Sequence, residues 1–276
     1  MKSRAFILAL FMLAPLAANA SEQTFTRTIN LRERLDLAIV SGAGNIQISQ
    51  GPVGRLRIIG HVKANDWHAT DDQLRDIASS PPVQQIGSTV RVGSAADPPH
   101  VIIDYEIEAP ADSIVQASSG VGDILDDGVG FNARFNTGSG SIHVSGLLGN
   151  VDVSSKEGDI EIEQAGQGEV KAISNSGNLD LQNLHGALRA ATGAGNITIS
   201  GAPAGEWSVQ TGRGDIELAL GRASYTIDAQ TVDGMVSSDV RVDGGDGSDL
   251  RHLAGRINGG GHNVTVRAAK GAIRIH

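Results

Sequence analysis

The chain contains no cysteine. That absence excludes disulfides, thiolate metal centres, a cysteine nucleophile and a lipidated cysteine anchor. Aromatic residues are nearly as scarce, at 3%, so Ile, Val, Leu and Ala must fill the core. Proline numbers only 8 in 276 residues and glycine keeps no every-third-residue rule, which excludes a collagen-like chain. Basic residues are outnumbered, 22 to 31. Past residue 20 no apolar run reaches the ~20 residues that a membrane helix needs. Against these shortages stand 36 glycines, about double ordinary usage. Hydrophobic residues make up 40%, enough to bury a core and too many for a disordered chain.

Lys2 and Arg4 open a positive segment, residues 5–16 are apolar, and Ala18-Asn19-Ala20 has the small-x-small form of a cleavage site. Residues 1–20 therefore read as a signal peptide, and the protein as exported to the periplasm or cell surface. An uncleaved anchor is the alternative, for which the apolar span is short. Cleavage after Ala20 removes two bases and no acid, leaving 20 basic and 31 acidic residues, net −11. No basic cluster stands out along the sequence, so nucleic acid is not an expected partner. Neutral glycans, proteins and cations remain open.

The dominant feature is a repeat. Ser119-Gly120-Val121-Gly122-Asp123-Ile124 returns as Thr137-Gly138-Ser139-Gly140-Ser141-Ile142, Thr192-Gly193-Ala194-Gly195-Asn196-Ile197 and Thr211-Gly212-Arg213-Gly214-Asp215-Ile216. Degraded copies centre on Gly158 and Gly177, a weak one on Gly234, and an isolated early copy is Ser41-Gly42-Ala43-Gly44-Asn45-Ile46. From Gly122 the second glycine recurs after 18, 18, 19, 18, 19 and 20 residues. Alternating stretches such as Ile142-His143-Val144 and Ile160-Glu161-Ile162 follow the motif, and others fill mid-interval, which is a strand signal. Each unit is thus turn, short strand, turn, short strand.

Strands this short cannot bury a face alone, but stacked coils make a continuous core. The sequence predicts an all-β chain, a β-solenoid with coils of 18–20 residues and two strands per coil. A β-sandwich is the rival, but it does not explain the steady glycine register. Gly44, Gly122, Gly140, Gly158, Gly177, Gly195, Gly214, Gly234 and Gly261 are the expected turn glycines, at corners of positive φ or close backbone approach. The Asp or Asn that follows can bond the local backbone, and that column can stack as a ladder. Residues 21–110 read as a β-rich capping region with a short helix near 70–79, capped by Thr70. Residues 111–276 hold the repeats, with a polar insertion at 240–255, and 21–276 form one continuous domain. Ile273-Arg274-Ile275 is expected to complete the last coil, and the N-terminal region and this C-terminal strand to cover the two ends.

Ile103-Asp104-Tyr105-Glu106-Ile107-Glu108-Ala109-Pro110 leads into the repeats, and Ile257-Asn258-Gly259-Gly260-Gly261 and Gly271-Ala272-Ile273-Arg274-Ile275 follow them. In order and spacing these segments resemble the bacterial "putative adhesin" family, domains of unknown function similar to the auto-transporter adhesin head GIN domain. The resemblance covers roughly residues 35–276. It implies a single-stranded, right-handed β-helix in an exported or envelope protein, and it brings no catalytic residues.

Other motifs point nowhere firm. The Gly-x-Gly pairs lack the third glycine of a dinucleotide fingerprint and the Gly-Lys-Ser/Thr of a P-loop. Arg213-Gly214-Asp215 spells an integrin-type tripeptide, yet Gly214-Asp215 is repeat consensus and Arg213 occupies a variable position. The loop Gly244-Gly245-Asp246-Gly247-Ser248-Asp249 resembles one calcium-binding nonapeptide, a type that works in stacked copies. Asp243, Asp246 and Asp249 are weak cation candidates against the plainer reading of a solvated loop, and no metal or cofactor is expected. The eight histidines show no zinc-type paired spacing and read as surface residues. Asp159 and Glu161 can approach carboxylates one coil away, but outward acids are what solubility requires. The expected function is therefore a noncatalytic, exported β-solenoid presenting a repetitive surface to an envelope glycan or protein. The alternative is a periplasmic scaffold or sensory partner in an envelope-stress system, and a polysaccharide-active enzyme is third.

Overall fold

The computed structural model describes residues 22–94, 98–244 and 249–276. The expected signal peptide and Asp246 lie outside the described residues. The chain first forms β1 (Glu22–Asn30), β2 (Asp36–Ala43), β3 (Ile46–Gln50), β4 (Arg55–Ala64), α1 (Asp71–Ser79), β5 (Val83–Ile86), β6 (Thr89–Ser94) and β7 (Val101–Ala109). Six regular pairs follow. They are β8 (Ile114–Val121) with β9 (Ile124–Asp127), β10 (Asn132–Ser139) with β11 (Ile142–Leu147), and β12 (Asn150–Glu157) with β13 (Ile160–Gln164). Next come β14 (Val170–Ser176) with β15 (Leu179–Leu184), β16 (Leu188–Ala194) with β17 (Ile197–Gly201), and β18 (Trp207–Arg213) with β19 (Ile216–Ala219). The chain closes with β20 (Tyr225–Asp233), β21 (Val236–Ser238), β22 (His252–Ile257), β23 (His262–Lys270) and β24 (Ile273–Ile275).

Each pair contributes one strand to each of two twelve-stranded sheets, so the chain alternates between them while neighbouring coils pair in parallel. Sheet A runs β1-β4-β7-β3-β9-β11-β13-β15-β17-β19-β24-β21, and sheet B runs β22-β20-β23-β18-β16-β14-β12-β10-β8-β2-β6-β5. The inward residues form one core. In sheet A, Ile46, Ile124, Ile142, Ile160, Leu179, Ile197, Ile216 and Ile273 stack in register. Period-two alternation makes this a necessity, because a one-residue slip would turn every such side chain outward.

The stack does not follow chain order at its ends. The β6–β7 coil lies outside the β2–β3 coil, and β23–β24 is inserted between β18–β19 and β20–β21. The C-terminal strand, expected at the end, is therefore internal, flanked by β19 and β21. The ends are covered instead by antiparallel strands. β4 pairs β7 and carries β1, β5 pairs β6, and β22 lies on β20. The insertion at 240–255 thus supplies part of a cap, through β22. Helix α1 begins where Gln73 N donates to Thr70 Oγ1, and its Leu74 is fully buried.

Beside the small hydroxyls and Gln164, one carboxyl among the described residues is fully buried. Asp126 stands in the column Ile48, Asp126, Val144, Ile162, Leu181, Ile199, Leu218 and Ile275, and is fully buried. Its Oδ1 accepts from Val129 N at 3.1 Å, while Oδ2 has no hydrogen-bond partner. Burial pushes this carboxyl well above the usual range, and the nearby Asp127 charge adds to the rise.

Candidate functional site

The repeated motif resolves into a corner where each residue type has one task. Its first residue, Ser or Thr, is buried and donates to the corner-glycine carbonyl of the neighbouring coil. Examples are Ser119 to Gly44, Thr137 to Gly122, Thr192 to Gly177 and Thr211 to Gly195, at 2.9–3.0 Å. The second glycine, from Gly44 through Gly122, Gly140, Gly158, Gly177 and Gly195 to Gly214, has φ between 133° and 155°. A Cβ on any of the last six would lie 2.0–2.3 Å from the preceding corner's carbonyl oxygen. Gly234 sits at the same corner, pressed against Gly271 O, without a positive φ. Gly261 does not: it precedes β23, at the opposite turn, and Gly271 with φ 138° is that coil's corner glycine.

The residue after the corner glycine builds a ladder between coils rather than a local turn. Asn45 Oδ1 accepts from Asp123 N, Asp123 from Ser141 N, Asp159 from Asn178 N, Asn178 from Asn196 N, Asn196 from Asp215 N and Asp215 from Ala272 N, all at 2.7–2.9 Å. The Ala272 N–H, and then the Arg274 guanidinium, hold the Asp215 carboxyl below its ordinary range. Asp159 and Glu161, the carboxylates weighed for catalysis, are engaged, as are the other acids of the same columns. Asp123, Asp159 and Asp215 hold the ladder, Glu161 meets His143 Nδ1 at 3.0 Å, and Glu217 meets His276 Nε2 at 3.4 Å. Arg213 is exposed beside Lys270 in register. Of the cation candidates, Asp243 meets Arg241 Nε at 2.9 Å and Asp249 accepts from Arg251 N at 2.9 Å.

The outward faces differ in charge. On sheet A the register aligns His143, Glu161, Asp180, Thr198, Glu217 and Arg274, with Asp127, Ser145, Glu163 and Gln182 beside them. On sheet B it aligns Gln116, Arg134, Asp152, Lys171, Arg189 and Ser208. A shallow groove of about 350 Å³ lies over the first part of this second row, lined by Gln116, Asn132, Arg134, Asn150, Asp152 and Lys171 among others. Asp152 joins its neighbours: Lys171 Nζ is 3.1 Å from Oδ1 and Arg134 Nε 3.5 Å from Oδ2. Phe131, half exposed with the Arg34 guanidinium 5.3 Å above its ring, precedes the groove residue Asn132. The row is invisible along the sequence because its bases, Arg134, Lys171 and Arg189, are 37 and 18 residues apart and share only their position within the coil. The signal was the shared phase of Arg134, Lys171 and Arg189 relative to the glycines.

A second cluster was also missed. Asp66, His68 and His100 come together because β4 and β7 pair antiparallel at Ala64 and Val101, which brings the residues just beyond into contact. Among the described residues, no helix is long and apolar enough to cross a membrane.

The family described as Toastrack DUF4097 matches residues 106–276. No curated protein matches the chain. Among solved structures, a "putative adhesin" from Bacteroides fragilis NCTC 9343 is 16% identical, with 92% of this chain and 97% of that one covered and a TM-score of 0.43. A "putative cell adhesion protein" from Clostridium sporogenes ATCC 15579 is 13% identical, with 92% and 98% covered and a TM-score of 0.25. A "putative lipid binding protein" from Parabacteroides distasonis ATCC 8503 is 10% identical, with 92% and 97% covered and a TM-score of 0.30. Likenesses this remote say nothing of what this chain binds.

Proposed function

The chain belongs to the Toastrack DUF4097 family, and from that premise we propose that it is an exported, noncatalytic binding module whose ligand is a neutral envelope glycan lying along sheet B. The carrying observation is the groove over β8, β10, β12 and β14. Asn132, Asn150, Gln116 and the Arg134–Asp152–Lys171 chain set donors and acceptors one coil apart, at the ~4.8 Å strand spacing. Hydroxyl-rich polymers match such a row through many modest contacts, and Phe131 offers an apolar face at its start. The coils are read as right-handed, in keeping with the general preference of parallel crossovers.

The reading without catalysis is supported by the engagement of the outward carboxylates in ladder bonds and ion pairs. Glycoside hydrolysis would need two carboxyls free to act across a cleft. The test is an array of purified bacterial envelope glycans probed with the parent protein and with Arg134→Ala/Lys171→Ala. Saturable retention that the double substitution weakens supports the proposal. Retention unchanged by it, or no retention on any glycan, refutes it.

A protein partner is the second reading, favoured by one observation. Val232, Met235 and Leu250 are all exposed where the end of β20, β21 and the chain before β22 meet. A scaffold or sensory role in an envelope-stress system would use such a surface.

A further inference from the structure

We infer that Asp66, His68 and His100 form a binding site for a single divalent transition-metal ion of the zinc, nickel or copper type. Two short loops build it. Residues 65–69 leave β4 and residues 98–100 enter β7, and Asn65 N donates to His100 O at 2.7 Å, locking one against the other. His100 is held at φ 71°, a left-handed conformation uncommon for a non-glycine residue. Asp66 turns back on its own loop, accepting from His68 N at 2.8 Å.

Both imidazoles thereby aim the same nitrogen at one carboxylate. His100 Nδ1 is 2.7 Å from Asp66 Oδ2, and His68 Nδ1 is 3.4 Å from Oδ1. The three ligand atoms lie within 4.8 Å of one another. Zinc–nitrogen bonds of about 2.0–2.1 Å place tetrahedral donors about 3.4 Å apart, so exposed side chains reach that geometry by small rotations. Two imidazoles and one carboxylate suit zinc, nickel or copper, whereas calcium and magnesium favour all-oxygen sets. Three protein ligands leave a coordination position facing solvent.

The site carries its own reporter. The Trp67 ring stacks on His68 with centroids 3.5 Å apart and is exposed, while Trp207, the other tryptophan, is buried with its N–H on Gly186 O. Tag-free protein titrated with zinc chloride in a calorimeter, and with nickel chloride by tryptophan fluorescence, tests the proposal. One ion per chain is expected, with quenching by nickel that Trp67→Phe removes. Loss of an outer-shell partner of a metal ligand already costs ~10–100-fold in affinity, so His68→Ala, His100→Ala and Asp66→Asn should each weaken binding at least about tenfold. His143→Ala, whose ring meets Glu161 on sheet A, should bind like the parent. The same circular dichroism and melting temperature must accompany each variant. Absence of binding, or affinity that survives His68→Ala and His100→Ala together, overturns the assignment and leaves the cluster as a metal-free latch between two loops.

Discussion

Replacing the corner glycine Gly195 by alanine should be among the most costly single-methyl additions to this chain. The added Cβ would lie 2.0 Å from Gly177 O and 2.5 Å from its carbonyl carbon, both backbone atoms that cannot swing aside. Relief requires adjacent coils to part locally, at the bonds Gly177 N to Ala194 O (2.9 Å) and Asn196 N to Asn178 Oδ1 (2.9 Å). Holding a non-glycine residue at φ 155° adds strain of roughly 1–3 kcal/mol. Two weakened hydrogen bonds add ~0.5–1.5 kcal/mol each. The sum is about 2–6 kcal/mol, which at ~2–4 °C per kcal/mol for a chain this size means a melting temperature lower by on the order of 10 °C. Gly221→Ala is the matched control, because Gly221 has φ 55° but nothing near its Cβ position. Its cost is the left-handed backbone alone, about 1–2 kcal/mol. Thermal unfolding by circular dichroism compares the two. Gly195→Ala melting within about two degrees of Gly221→Ala would refute the close-approach reasoning, since the clash term alone should separate them by more.

Three further outcomes follow from the same geometry. Asp126→Asn should gain stability over the parent as pH rises above the ~3.9 of an unfolded Asp. The folded carboxyl keeps its proton above the ~3.9 of an unfolded Asp, so its contribution is full below that value and is lost as pH rises toward the folded pKa; parallel melting curves against pH would contradict this. Thr192→Val, which removes the buried hydroxyl bonded to Gly177 O at 2.9 Å, should cost ~1–3 kcal/mol by leaving that carbonyl short of a partner, measured by denaturant titration. Asn178→Ala should cost ~0.5–1.5 kcal/mol by freeing Asn196 N, more than Thr198→Ala on the outward face, and equal midpoints would remove the ladder from the account.

The coil was legible because the corner makes strict chemical demands. Only glycine fits beside the neighbouring carbonyl, only a small hydroxyl reaches it, and only a short amide or carboxylate spans to the next N–H, so Thr192-Gly193-Ala194-Gly195-Asn196-Ile197 states its structure outright. Thr70 and the run to Ala78 announced α1 for the same local reason. Stack order at the ends was not legible, because placing β24 between β19 and β21 is a long-range choice with no local signature. Gly271 was passed over as a corner since Lys270-Gly271-Ala272 lacks the Ser/Thr and Asp/Asn partners, and Gly261 took its place in a glycine-rich turn. The groove and the Asp66–His68–His100 cluster depend on register across 18 or more residues, which composition and spacing of single motifs do not display.

The central claim is a distributed, noncatalytic glycan surface on sheet B. The most direct measurement takes one glycan retained by the parent and scores it two ways, by affinity and by release of reducing ends. The proteins compared are the parent, single alanine substitutions at Asn132, Arg134, Asn150, Asp152 and Lys171, and alanine at Asp123, Asp159, Glu161, Asp215 and Glu217. The account predicts stepwise affinity losses for the groove set, since each exposed polar contact contributes only modestly. It predicts unchanged affinity for Glu161→Ala and Glu217→Ala on the acidic sheet, and no reducing ends from any folded protein. A measurable turnover that one carboxylate substitution lowers by ~10²–10⁴ with melting unchanged would contradict it.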